Sequence, residues 1–266
     1  MASPSEVNSQ TEEGETVEDV YQMEPEIEVL LKRPDIFIGN TDKVTQTVWV
    51  HDGQRVVSKT IVFVPGFYKM FDEIVVNAAD NKVRNPSMDI LKIEIDENKN
   101  FISVWNNGGG IPVVWHETHK LYVPEMIFGH LRSSSNYNDN KTRLTGGRNG
   151  YGAKITNILS TEFIIETCDG SKYYRQSFKN NMKEKSEPLI RDCKPNEKWT
   201  CVSFYPDLAR FGMDVLDEDT VSLMRRRVYD LAGVLGKTTK VYLNGQQIPV
   251  KSFSDYVDLY LGPKDS

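Results

Sequence analysis

Phe71-Asp72-Glu73-Ile74-Val75-Val76-Asn77-Ala78-Ala79-Asp80 is the stretch on which the fold of this chain turns. It lies within Phe67–Lys82, where apolar residues recur at helical spacing. On a helix, positions four and seven residues apart share a face. Glu73, Asn77 and Asp80 therefore form one polar stripe, and Phe71, Val75 and Ala79 turn the other way. A stripe of this kind either faces water, the ordinary case, or lines a cavity. Apolar strands on both sides and few long charged side chains within the helix favour the cavity.

Upstream, Glu26–Lys32 reads as a short helix halted at Arg33-Pro34, because the residue before proline avoids the α region. Thr45–His51 and Val56–Val64 are β-branched and aromatic, and Asp52-Gly53 between them signals a hairpin. Downstream, Leu91–Ile95 and Phe101–Trp105 form a second hairpin, with residues 91, 93 and 95 on one face. Ala153–Leu159 opens another helix, and strands follow at Glu162–Thr167, Tyr173–Phe178 and Thr200–Tyr205. Asp219–Leu235 repeats apolar residues every three or four positions up to Gly236, so it is a helix with its stop signal. A last strand, Lys240–Leu243, turns through Asn244-Gly245. Strands and helices mix without strict alternation, which predicts an α+β fold built on a largely antiparallel sheet.

Two glycine clusters interrupt this pattern. Asn106-Asn107-Gly108-Gly109-Gly110 follows a strand directly; it reads equally as a glycine-rich turn or as backbone that approaches a ligand closely, with a short polar side chain at the strand end. Thr145-Gly146-Gly147-Arg148-Asn149-Gly150-Tyr151-Gly152-Ala153-Lys154 leads into a helix, after Ser133-Ser134-Ser135-Asn136-Tyr137. Backbone N–H groups at such an entrance attract anions, and Lys154 adds a point charge, which favours a phosphate site over a linker. No P-loop is present: the one Gly-Lys-Thr, at 236–238, has Leu231 where that motif needs glycine. His116 and His119 lack zincin spacing and read as surface residues.

Composition sets further bounds. At 266 residues the chain can bury one substantial core. Its apolar runs fall short of the roughly 20 residues that cross a bilayer, so no membrane partner is expected. Nine of the acidic residues fall in residues 1–28, which hold no Lys or Arg; the remainder has 29 acidic and 32 basic residues. Residues 1–20 read as a disordered acidic tail and 21–266 as one domain. Cys168, Cys193 and Cys201 match no metal or redox spacing and read as reduced, packed thiols. Arg225–Arg227 is a short basic run expected on a helix exterior.

With these clusters in this order, the chain resembles the GHKL superfamily of gyrase-type topoisomerases, heat-shock-90 chaperones, sensor histidine kinases and MutL repair proteins. RPDIFIGN (33–40), VPGFYKMFDEIVVNAADNK (64–82), WNNGGGIPV (105–113), VPEMIFGHLRSSSNY (123–137) and TGGRNGYGAK (145–154) resemble one branch above all, the eukaryotic type II DNA topoisomerases. The resemblance implies the GHKL, or Bergerat, two-layer sandwich, with ATP and Mg²⁺ as ligands. It implies that Glu73 is the general base and that Asn77 is the Mg²⁺ ligand. Asn106 then contacts adenine, where most of the superfamily has Asp. Ser134, Ser135 and Asn136 lie near ribose and phosphates, and Gly147, Arg148, Asn149, Gly150, Tyr151, Gly152, Ala153 and Lys154 form the lid over the triphosphate. Asp80 is implied as a supporting group.

The resemblance further implies a nuclear enzyme that dimerises with a second copy on ATP binding, with residues 1–30 reaching across, and that passes double-stranded DNA. The transducer domain, which supplies a lysine to the γ-phosphate, and the DNA-cleaving domain are expected to be absent here. Weak or no turnover follows for the chain alone. A nucleotide-binding module with negligible hydrolysis and the ATPase of a related chaperone or repair protein are the alternatives.

Overall fold

In the computed structural model, which describes residues 25–131 and 151–261, a nine-stranded sheet carries a layer of helices against one face. Two short helices, α1 (Glu26–Lys32) and α2 (Asp35–Ile38), lead into the hairpin of β1 (Val44–His51) and β2 (Val56–Phe63). The long helix α3 (Pro65–Arg84) comes next, followed by β3 (Ile90–Asp96) and β4 (Phe101–Asn107). A small ladder of β5 (Trp115–His116) and β6 (Leu121–Tyr122) precedes α4 (Val123–Gly129). After α5 (Gly152–Ile158) come β7 (Ser160–Asp169), β8 (Lys172–Lys179), β9 (Glu184–Lys185), β10 (Leu189–Asp192) and β11 (Lys198–Pro206). Helix α6 (Glu218–Leu235), the strands β12 (Lys240–Leu243) and β13 (Gln246–Gln247), and α7 (Phe253–Leu261) complete the order.

The strand order is β10-β8-β7-β11-β4-β3-β12-β13, with β9 paired to β8. Every pairing is antiparallel except β12 with β3. Alternation decides which face is covered. Ile102, Val104 and Asn106 on β4, Val202 and Phe204 on β11, and Phe163, Ile165 and Thr167 on β7 are buried under the helices. The α+β expectation, a largely antiparallel sheet layered with helices, holds.

Helix α3 is the centre of the helical layer. Pro65 sits in its first turn, where a missing N–H costs nothing, and Lys82 and Arg84 sit in its last turn, where the helix dipole favours cations. Phe67, Met70, Phe71, Ile74 and Val75 are all buried, and each stabilises the fold by roughly 1.5–3 kcal/mol through leaving water. α3 packs against α5, α6 and β4. Helix α6 is capped by Asp217, whose carboxylate accepts the Thr220 N–H at 2.8 Å, and it stops at Gly236 with φ +60°. The β1–β2 hairpin lies on α6, with His51 stacked on Tyr229 at 3.9 Å.

The expected β1–β2 hairpin forms, His51 pairing with Val56, and its loop runs from Asp52 through Arg55. Asp52 donates its N–H to the Arg55 carbonyl, and its side chain accepts the N–H groups of Gln54 and Arg55, both at 2.9 Å. A side chain that can tie the turn itself removes the need for the mirror-image dihedrals of a two-residue turn. The Arg225–Arg227 run lies on α6, as expected, and each arginine is ion-paired: Arg225 with Glu218 and Glu97, Arg226 with Asp230, and Arg227 with Asp72. The three cysteines are free thiols, with Cys168 buried. The acidic tail lies outside the described residues.

Candidate functional site

The polar stripe of α3 faces the start of α5. Thr156 donates its hydroxyl to the carbonyls of Met70 (3.2 Å) and Gly152 (3.1 Å), which bolts α5 to α3 one turn before Glu73. This docking carries Gly152 onto the Glu73 carboxylate: a Cβ added at Gly152 would collide with Glu73 Oε2. Glycine is required there by the close approach of the acid. The other oxygen, Oε1, accepts from Lys69 Nζ at 2.7 Å. Asn77 and Asp80 follow on the same helix, both half-buried. The Asn77 side chain makes no hydrogen bond among the described residues, which leaves its amide available to a ligand.

Tyr151 precedes α5, with its ring 6.3 Å from Phe37 and its hydroxyl 3.5 Å from Glu26 Oε1. Ala153 packs at the edge of the core. Lys154 is only 1% exposed, and burial pushes its ammonium down to about 8 from an ordinary value of 10.5. Glu73 thus stands against the start of α5, with Asn77 one turn farther along α3 and the buried Lys154 in the first turn of α5.

A second polar group closes the sheet side. Asn106, Thr200 and Thr167 stand opposite one another on β4, β11 and β7, continuing two apolar rows of the same inner face. Thr167 Oγ1 lies 3.0 Å from Thr200 Oγ1, donates to the Trp199 carbonyl at 2.8 Å and accepts the Ile111 N–H at 2.9 Å. Asn106 is buried and donates Nδ2 to the Asn107 carbonyl at 2.9 Å, so its Oδ1 is the acceptor left over. Thr167 and Thr200 escaped the sequence reading. The available signal was parity: both occupy inward positions in strands whose other inward residues are apolar.

The first glycine cluster packs closely against its own chain. Gly108 (φ +126°) packs on Asn81 and Met88, Gly109 on Asn85, and Gly110 (φ +69°) on the Cys168 carbonyl, where a Cβ would collide. These glycines let the loop close over the end of α3 and β7. Asn107 fixes the same corner by accepting the N–H groups of Asp89 and Ile90 and donating to Asp89 Oδ1 at 2.6 Å. Ser134, Ser135, Asn136, Gly147, Arg148, Asn149 and Gly150 lie outside the described residues. His116 and His119 pair with each other, rings 4.6 Å apart, away from this site. An open concavity of about 1010 Å³ lies on the opposite face of the sheet beside Lys92, Glu94 and Trp105. Its mixed, ion-paired lining lacks the convergent groups of the α3–α5 junction.

Comparison with known proteins agrees with the geometry. The model of the histidine kinase-, DNA gyrase B-, and HSP90-like ATPase family matches residues 65–210, from the first residue of α3 to beyond β11. DNA topoisomerase 2 of Arabidopsis thaliana is 58% identical over 250 residues, covering 93% of this chain and 17% of its own length. That of Drosophila melanogaster is 50% identical over 254 residues. The chain thus spans about one sixth of the curated relatives it matches. The crystal structure of the ATPase region of Saccharomyces cerevisiae topoisomerase II superposes with a TM-score of 0.88 at 48% identity, over 91% of this chain and 65% of that one. The ATPase domain of Thermus thermophilus gyrase B shares the fold, with a TM-score of 0.58 at 22% identity. The chain belongs to the histidine kinase-, DNA gyrase B-, and HSP90-like ATPase family, on the branch formed by the ATPase regions of eukaryotic type II topoisomerases.

Proposed function

We propose that the chain binds Mg-ATP between α3, the inner face of the sheet and the segment entering α5, and hydrolyses it with Glu73 as general base. The observation that carries this reading is the Glu73 carboxylate held against Gly152, at the mouth of the glycine-rich segment. There Glu73 accepts the proton of the water that attacks the γ-phosphate. Asn106 Oδ1 accepts from the exocyclic amine of adenine, and the hydroxyls of Thr167 and Thr200 supply the remaining polar edge. Tyr151, Gly152, Ala153 and Lys154, with the segment from Gly147, enclose the phosphates, and Ser134, Ser135 and Asn136 hold the ribose side.

Mg²⁺ fits this donor set. Among the described residues no group of His, Cys, Asp or Glu could hold a metal unaided. A Mg²⁺ bound mainly by phosphates and water needs only one or two protein ligands, and the Asn77 amide oxygen is placed to be one. When bound, the metal neutralises charge on the phosphates.

Lys154 gives this reading a pH-dependent test. Its folded value of about 8 lies below the ordinary 10.5, so between those values the unfolded chain holds the proton and the folded chain does not. Stability from this group therefore rises with pH across that window, and the cost of burying the charge is fully present below pH 8. A triphosphate beside the amine favours the charged form. Titration with a non-hydrolysable ATP analogue plus Mg²⁺ at pH 9, by calorimetry in buffers of different ionisation heat, is expected to show uptake of about one proton per site, falling toward zero at pH 7. Binding without uptake at pH 9 removes Lys154 from the phosphate site, and absence of binding removes the nucleotide site itself.

As part of a longer enzyme, this domain would act in the nucleus, pairing with a second copy on ATP binding, with residues 1–30 reaching across, to gate passage of double-stranded DNA. Sizing of the analogue-bound chain is expected to show two copies. A monomer at saturating analogue would sink the pairing for this domain by itself.

A further inference from the structure

We propose that Lys69 is a positioning residue for hydrolysis: it holds the Glu73 carboxylate by Oε1, so that Oε2 is the one oxygen presented to the start of α5. The inference rests on the reading of Glu73 as the base. Lys69 lies one turn before Glu73 on α3, and its Nζ reaches Oε1 at 2.7 Å. Oε2 meets Gly152 instead. A carboxylate free to rotate would exchange its two oxygens and tilt its lone pairs away from the water. An ion pair to one of them removes that freedom.

Helix stabilisation does not account for the pair. Lysine N-terminal to glutamate at this spacing is the weaker of the two orders, and a partly exposed pair of this kind contributes only about 0.3–0.5 kcal/mol. The choice of partner is also directed. Asp72 is the competing anion, 3.8 Å from Lys69 Nζ, but its Oδ1 is taken by Arg227 Nε at 2.6 Å. Arg227 stands on α6, so α6 occupies Asp72 and leaves Lys69 to Glu73. Partial burial pulls the Lys69 ammonium down, yet its bond to Glu73 and the charges of Glu73 and Asp72 outweigh this and raise it above its ordinary value. It therefore stays charged wherever Glu73 can act as a base.

The test uses the 266-residue chain. Single-turnover hydrolysis of ATP is measured at saturating protein, beside the affinity for a non-hydrolysable analogue, for Lys69→Met, Lys69→Arg, Glu73→Gln and the double variant Lys69→Met/Glu73→Gln. Lys69→Met keeps the apolar stem and is expected to slow the chemical step about 10- to 100-fold with analogue affinity changed by less than about twofold. Lys69→Arg is expected to restore most of the rate. In the Glu73→Gln background the methionine should add almost nothing, because the carboxylate it orients is gone. A Lys69→Met rate close to wild type, an equal factor in both backgrounds, or a loss matched in affinity would each overturn the positioning role. Wild type no faster than Glu73→Gln would instead overturn the general-base reading, and this inference with it.

Discussion

Glu73→Gln is expected to slow single-turnover hydrolysis by about 100-fold or more while leaving the affinity for Mg-ATP almost unchanged. Glutamine has the same shape and can still accept a hydrogen bond from Lys69, so the contact with Gly152 and the packing of α3 against α5 survive. What it loses is the ability to take a proton from water, and that matters only in the transition state. The signature is therefore a fall in rate at constant affinity. A variant that hydrolyses as fast as wild type would show that another group takes the proton. One that fails to bind analogue would show that the acid holds the pocket together rather than doing chemistry.

Gly152→Ala is the second large effect. Gly152 opens α5, and its φ is not in the left-handed region. Alanine is thus compatible with the backbone there, and by helix propensity it would stabilise the helix by up to about 1 kcal/mol. The single obstacle is the Glu73 carboxylate in the space the new methyl needs. Either the acid rotates away or α5 shifts, and a misplacement on the order of 1 Å is enough to lower the rate about 100-fold. Analogue affinity should fall too, because the phosphate side of the site moves with α5. Pairing Gly152→Ala with Glu73→Ala removes the collision, so thermal stability in the double variant should exceed that of Gly152→Ala alone. A Gly152→Ala protein with wild-type turnover would show that the approach of Gly152 to Glu73 does not matter to the chemistry.

Much of this was legible in the sequence, for identifiable reasons. Helix α3, the β3–β4 hairpin and α6 announce themselves by period, because each buries one continuous face. Glu73, Asn77 and Asp80 were legible by the same rule. Helix α4, the ladder of β5 and β6, the strands β9 and β10, and α7 were not, being short and held by contacts with distant residues more than by local pattern. The glycines at 108–110 were visible as unusual backbone, but their purpose was open: only the folded chain reveals Asn81, Asn85 and the Cys168 carbonyl as what they pack on. Thr167 and Thr200 join Asn106 across strands far apart in sequence, a relation that register creates and spacing cannot express. Lys69 carries no signal in the sequence; the ion pair of Asp72 with Arg227 shows why it turns to Glu73.

The parallel pairing of β12 with β3 has a consequence for how the molecule assembles. Lys240 to Leu243 align with Ile90 to Ile93, and Asn244 clamps Ile95 by accepting its N–H at 2.8 Å and donating to its carbonyl at 3.1 Å. Until those residues leave the ribosome, roughly 150 positions after β3, one flank of β3 presents unsatisfied N–H and C=O groups to any passing chain. Closing so long a loop is slow compared with zipping the neighbouring hairpin. The nascent protein thus waits with an adhesive border, guarded meanwhile only by the outward-pointing charges of Lys92 and Glu94.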